Sequence, residues 1–210
     1  MGGRGASSFT AKVRARAAAK QPVQRGHLQG SEIPDTPEKT AAYLGVSVDV
    51  AKELHGSVRS YSGSAYSAIR QAQRTGKGSP QALKDAKNIE TYIEKAPKWA
   101  GGSTYRGIKL DKATVKALRV GDKIDVNLGT ASWSTAESTA RSFSGSGYAG
   151  TGKRSVIFVS GTQTKGTSIK HISLFANENE VLVSKKAQYI IDSISIKPGS
   201  PYTYVYVKER

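Results

Sequence analysis

The chain has 210 residues, no cysteine, three histidines, and 32 Lys and Arg against 16 Asp and Glu, for a formal net charge of +16. This length holds one sizeable domain, or a small domain with appendages. The missing cysteines exclude disulfides and thiolate metal sites, which fits a cytosolic setting. No apolar run is long enough for a membrane-spanning helix, and Ala17-Ala18-Ala19 is too short for the apolar region of a secretory signal. The charge favours polyanionic partners, namely nucleic acid, an anionic surface or an anionic ligand. Part of it belongs to one end, since Arg4, Lys12, Arg14, Arg16, Lys20 and Arg25 precede the first acidic residue, Glu32. His27, His55 and His171 are far apart, so no metal site is expected on them.

Residues 1–36 read as a basic flexible tail, rich in Gly, Ala, Gln and Arg with little apolar periodicity. Thr36 before Pro37-Glu38 is the N-cap pattern that opens the folded part. A helical part follows over 37–100. Ser47 is placed to cap a helix through Ala51 and Leu54 to Val58, and a second helix is expected from Tyr61 to Arg74 with Gly76 as its stop. Ser79-Pro80 starts a third, whose Leu83, Ala86, Ile89 and Ile93 make one apolar stripe, and Pro97 ends it.

After Gly101-Gly102 the texture changes. Short β-prone runs lie at 103–108, 124–126, 131–134, 156–159, 168–172, 181–183, 189–191 and 202–207, separated by turn residues. Short helices are expected near 112–118 and 135–143. Helices first and many short strands later predict an α+β fold, not a repeating βαβ one. The Gly-rich segment 144–152 lacks a Gly-Lys-Ser/Thr ending and precedes a strand, so neither a P-loop nor a dinucleotide-binding turn is expected.

Three local features carry chemistry. Arg106 sits in a β-prone run with Gly107 behind it, and a guanidinium offers a planar fork suited to phosphate. Ser132-Trp133-Ser134-Thr135 places hydroxyls at a strand end ahead of a helix carrying Ala140 and Phe143. Glu178 and Glu180 stand two apart before Val181-Leu182-Val183; in an extended segment they project together, and two like charges on one face repel. Trp133, alternating with the serines, is expected to face the core.

In this order the three features resemble the mono-ADP-ribosyltransferases of the Arg–Ser–Glu class, which include binary and C3-like bacterial toxins and many phage enzymes. The resemblance extends from about Pro37 to Arg210, and includes Tyr61-Ser62-Gly63-Ser64-Ala65-Tyr66 and Tyr105-Arg106-Gly107-Ile108. It implies an N-terminal helical lobe packed on a mixed, mainly antiparallel two-sheet core, with 37–210 as the ADP-ribosyltransferase domain and 101–210 as its NAD-binding part. The Gly-rich start of the chain also resembles phage or prophage proteins, which would set the protein in the cytoplasm of a bacterial host.

The resemblance implies transfer of ADP-ribose from NAD to an acceptor with release of nicotinamide, and it requires no metal. It implies that Glu180 stabilises the oxocarbenium-like transition state. Arg106 and Gly107 would hold the pyrophosphate region, and Ser132 or Ser134 would fix Glu180 and the nicotinamide ribose. Phe143 would pack on the nicotinamide side, although a place in the helix core fits it equally well. The motif serine matches Ser132 when counted back from Ala140 and Phe143, and Ser134 when matched on Ser-Thr. Glu178 with Phe175 implies recognition of an acceptor arginine on a target protein, since a guanidinium must be oriented and relieved of a proton. The +16 charge leaves RNA or DNA as an alternative acceptor. A third alternative is a basic nucleic-acid-binding or virion-associated protein that has lost activity.

Overall fold

The computed structural model describes residues 34–126, 128–145, 152–196 and 198–210, with the backbone of Val23 and Gln24. Most of the N-terminal segment read as a tail, and 146–151 of the Gly-rich segment, lie outside the described residues, as does His27. Among the described residues there are six α-helices and ten strands. None of these helices is long and apolar enough to cross a membrane.

Strand β1 (Val23–Gln24) pairs in parallel with β2 (Lys98–Trp99). Four helices form the lobe between them: α1 (Pro37–Leu44), α2 (Val48–Ser62), α3 (Tyr66–Thr75) and α4 (Pro80–Lys95). Their starts follow the expected capping chemistry. Thr36, Ser47 and Ser79 each turn a side-chain oxygen to a backbone N–H of the first turn, satisfying a donor the helix cannot. Gly45 and Gly76 close α1 and α3 in the left-handed region that glycine enters freely.

Two details differ from the expected pattern. The second helix continues to Ser62, and the next begins only at Tyr66, because Gly63 breaks the helical backbone between them. On α4 the buried face is set by Ala82, Ala86, Ile89, Tyr92 and Ile93, while Leu83 is exposed. Helix α4 is covered by α2 and α3 from one side, and that contact selects the face.

The remaining elements are β3 (Thr104–Asp111), α5 (Lys112–Ala117), β4 (Lys123–Ile124), β5 (Ala131–Ser134), α6 (Glu137–Ser144), β6 (Lys153–Ser160), β7 (Gly166–Ser168), β8 (Glu180–Val183), β9 (Tyr189–Ile196) and β10 (Tyr202–Glu209). The run expected as a strand at 168–172 is mostly turn, because Ile169 O accepts from both Ile172 and Ser173 N–H. The strands order as β4-β9-β10-β6-β3-β5-β8-β7, with β6 and β10 parallel and the other neighbours antiparallel. The ladder narrows to one residue pair, Tyr105↔Ser134, between β3 and β5. The sheet therefore folds over on itself as two halves.

The main core fills the space between those halves. Ala131 and Trp133 of β5 and Val181 and Val183 of β8 meet Val156, Phe158, Ile191, Val205 and Val207 from the other half. Trp133 is 1% exposed, as its alternation required. The opposite face of β8 receives the helical lobe, where Leu182 joins Leu54, Val58, Ile69 and Ile89. Helix α6 covers β3 and β6 from outside through Ala140, Ile157 and Val159. His55 hydrogen-bonds Thr40 Oγ1 at 2.5 Å and His171 bonds the Tyr92 hydroxyl at 3.1 Å, so both take part in side-chain hydrogen bonds.

Candidate active site

A cleft of about 460 Å³ opens where the two sheet halves part, and all eight of the site residues taken from the sequence line it: Arg106, Gly107, Ser132, Ser134, Phe143, Phe175, Glu178 and Glu180. The antiparallel register explains much of this. Ser134 pairs with Glu180, and Ser132 with Leu182, so both serines share a face with Glu180 while Trp133 and Val181 take the other.

Arg106 leaves the middle of β3 opposite Phe158. Its Nε donates to Val126 O at 3.0 Å and its Nη1 to Ser132 O at 2.7 Å. The guanidinium is thus a brace as well as a candidate anion ligand, holding β5 by the Ser132 carbonyl. Burial, with the Arg70 guanidinium next in weight, pulls its pKa down to about 10, and it stays cationic at neutral pH.

Gly107 has a steric reason to be glycine. A Cβ there would lie 1.7 Å from Ala140 O and 2.6 Å from Ala140 C, both backbone atoms of α6. Its missing side chain lets α6 lie flat on β3. Phe143, on that helix, is 62% exposed at the cleft wall. It is not a core residue of the helix.

The two serines do different work. The Ser132 hydroxyl hydrogen-bonds the Glu180 carboxyl. Ser134 Oγ donates to Glu178 O at 2.6 Å and accepts from Ala136 N–H at 3.0 Å, bracing the turns on either side.

Glu180 begins β8 and is 5% exposed. Burial pushes its carboxyl up to about 7, while the hydrogen bonds from Ser132 and Ser173 pull the other way; the Glu178 charge adds to the rise. The Ser173 hydroxyl stands 3.4 Å from Glu180 Oε2 and accepts from Phe175 N–H at 3.1 Å. Glu178 is half-buried, and its carboxyl is raised by partial burial. The pair does not come from one extended segment. Ala176–Glu178 is a turn of 3-10 helix, and Asn179 follows in the left-handed region at φ 50°. Asparagine is among the few residues that adopt this conformation readily. The carboxylates reach one cleft through this turn instead of through strand alternation.

Sequence reasoning did not single out Arg70 and Ser173, nor give Tyr61 a role. Arg70 of α3 lines the cleft beside Arg106. Its position next to the buried Ile69 gave no sign of which way it faced. Two arginines in one cleft make an electropositive site suited to a diphosphate. Tyr61 lines the cleft, is 3% exposed and donates to Thr130 O at 2.6 Å. Among the described residues, no group of three or more His, Asp and Glu side chains is placed to hold a metal.

This fold and cleft place the chain in a known class. A model of the ADP-ribosyltransferase exoenzyme family matches residues 39–209, and the chain belongs to that family, whose members transfer ADP-ribose from NAD to a target. Vis toxin, an ADP-ribosyltransferase from Vibrio splendidus, is similar in structure with a TM-score of 0.64 at 22% identity, covering 91% of this chain and 88% of that one. Exoenzyme S from Pseudomonas aeruginosa, solved with human 14-3-3 protein beta and carba-NAD, has a TM-score of 0.60 at 20% identity over 83% of this chain and 81% of that one. The C3 exoenzyme from Clostridium limosum has a TM-score of 0.54 at 18% identity over 83% of this chain and 91% of that one. No curated protein matches by sequence.

Proposed function

We propose that the protein transfers ADP-ribose from NAD to arginine side chains of target proteins. The observation that carries this reading is the placement of two carboxyls at different depths of one cleft, Glu180 buried and Glu178 half-buried near Phe175. Vis has been solved in complex with agmatine, whose guanidinium has the chemistry of an arginine side chain.

The bond that breaks joins the anomeric carbon of the NAD ribose to the nicotinamide nitrogen, and its electron pair leaves with nicotinamide. Positive charge grows on the ribose as it does so. Glu180, ionised beside it, stabilises that charge more than it stabilises the ground state. In the free protein this carboxyl sits at about 7. The cationic nicotinamide ring of bound NAD favours its ionised form. Ser132 holds the carboxylate, whereas Ser134 acts on the turn that carries Glu178. Arg106 and Arg70 supply positive charge for the pyrophosphate. A guanidinium nitrogen of the acceptor forms the new bond to the anomeric carbon and gives up one proton, which Glu178 accepts. Phe143 and Phe175 offer aromatic walls at the mouth.

The test is incubation with labelled NAD and a cell lysate, followed by nuclease or protease, with agmatine as a model acceptor in parallel. Label that survives nuclease but not protease, with nicotinamide release that rises with agmatine, is the expected result. Label removed by nuclease overturns a protein acceptor, and nicotinamide release that agmatine does not raise above the acceptor-free rate overturns arginine.

A further inference from the structure

The strands that carry Ser132 and Glu180 are tied at their far end by one side chain from the helical lobe. Glu90 of α4 accepts from Thr130 Oγ1 at 2.6 Å through Oε1 and from Ser184 Oγ at 2.8 Å through Oε2. Thr130 immediately precedes β5 and Ser184 immediately follows β8. Ala131 pairs with Val183, so Thr130 and Ser184 stand at the next position of the same register. One carboxylate therefore closes the ladder as an added rung.

Thr130 is wholly buried, and the lobe takes every polar group it has. Its N–H donates to Gln73 Oε1 at 2.8 Å, its hydroxyl accepts from Gln73 Nε2 at 2.7 Å, and its carbonyl accepts from the Tyr61 hydroxyl at 2.6 Å. The bonds come from α2, α3 and α4 and converge two residues before Ser132. A lobe that only needed to pack on β8 could do so through Leu182 and its apolar neighbours. A carboxyl group accepting from two strand ends adds what apolar contact lacks, namely a fixed offset between those strands.

The geometry points to Glu90 as a positioning residue for the reaction, setting β5 against β8 so that the Ser132 hydroxyl reaches Glu180. This rests on Glu180 being the reacting carboxylate. Without the clamp, β5 is free to shift, and the Ser132 bond that lowers the Glu180 pKa weakens. Two consequences follow that lost stability alone does not produce. The turnover number falls while KM for NAD changes less, because Arg106 is carried by β3 and keeps its bond to Val126 O, and Arg70 is carried by α3. The acid limb of the pH–rate profile also moves to higher pH, since Glu180 loses a bond favouring its ionised form.

NAD cleavage without acceptor is measured for wild type, Glu90→Ala, Glu90→Gln and Ser184→Ala, each at a temperature where melting shows it folded. Glu90→Ala is expected to lose about tenfold or more in kcat, as for a sub-ångström to ångström misplacement of reacting groups, with the acid limb shifted upward. Glu90→Gln recovers part of this, because it keeps one acceptor oxygen. Ser184→Ala, which removes one arm, gives a smaller loss in the same direction and serves if Glu90→Ala does not fold. Wild-type kcat and an unmoved acid limb in the folded variants overturn the clamp while leaving the catalytic reading intact. Wild-type protein that cleaves no NAD overturns both.

Discussion

The two faces of the β5–β8 pair differ in kind, though they share a backbone. One face carries Ala131, Trp133, Val181 and Val183 and is dry core. The other carries Ser132, Ser134 and Glu180, with Leu182 under the helical lobe at its far end. The dry face sets the plane and register of both strands. The polar face uses that rigidity to hold a carboxyl where it is costly to ionise. Stability and chemistry are thus separated by the pleat alone, and substitutions on the two faces should have opposite signatures.

The sharpest way to break this contrast is at Glu180. Glu180→Gln should reduce both transfer and NAD cleavage by about a thousandfold, the order expected for loss of a charge that stabilises a transition state. An assay of nicotinamide release checks it, and retention of more than a tenth of wild-type activity would remove Glu180 from its role. On the dry face, Trp133→Ala should cost about 3–5 kcal/mol of stability, read by denaturant unfolding. Activity per folded molecule should fall far less. A variant that folds normally but is inactive would show that the faces are not separable.

Glu178→Gln tests the division between the two carboxyls. It should lose about a hundredfold in transfer to a guanidinium acceptor while keeping most acceptor-free NAD cleavage. Equal loss in both assays would mean the roles are wrongly divided. A smaller effect sharpens the cost of the polar face. The raised Glu180 pKa means the folded state binds a proton more tightly than the unfolded one. Its contribution to stability is full below the ordinary glutamate range and is lost as pH rises through about 7. Glu180→Gln should therefore stabilise the protein at pH 8 by about 2–3 kcal/mol and have little effect near pH 4. Melting curves at both pH values decide this. A destabilised variant at pH 8 would contradict the burial cost.

Much of the site was legible because its parts are local. Arg106-Gly107, Ser132-Trp133-Ser134 and Glu178-Asn179-Glu180 are short strings, and the pleat predicts which members of the serine string share a face. The caps at Thr36, Ser47 and Ser79 and the stop at Gly76 were legible for the same reason, being satisfied within a few residues. Less local features misled. Leu83 fits the α4 stripe by spacing, yet α2 and α3 chose a face rotated from it. Residues 168–172 have strand-like composition, yet they turn at Ile169.

By itself the sequence determined the α+β order, the capped helical lobe and the three short strings around Arg106, Ser132 and Glu180 that meet in the cleft, because backbone propensity and motif spacing act over a few residues. Only the tertiary structure decided that Ser132 serves Glu180 and Ser134 the neighbouring turn, that Asn179 brings the carboxyls together, and that Arg70, Ser173 and Glu90 bear on the site. Each of these depends on groups from separate elements meeting at hydrogen-bond range. Sequence separation carries no information about such distances until the chain has packed.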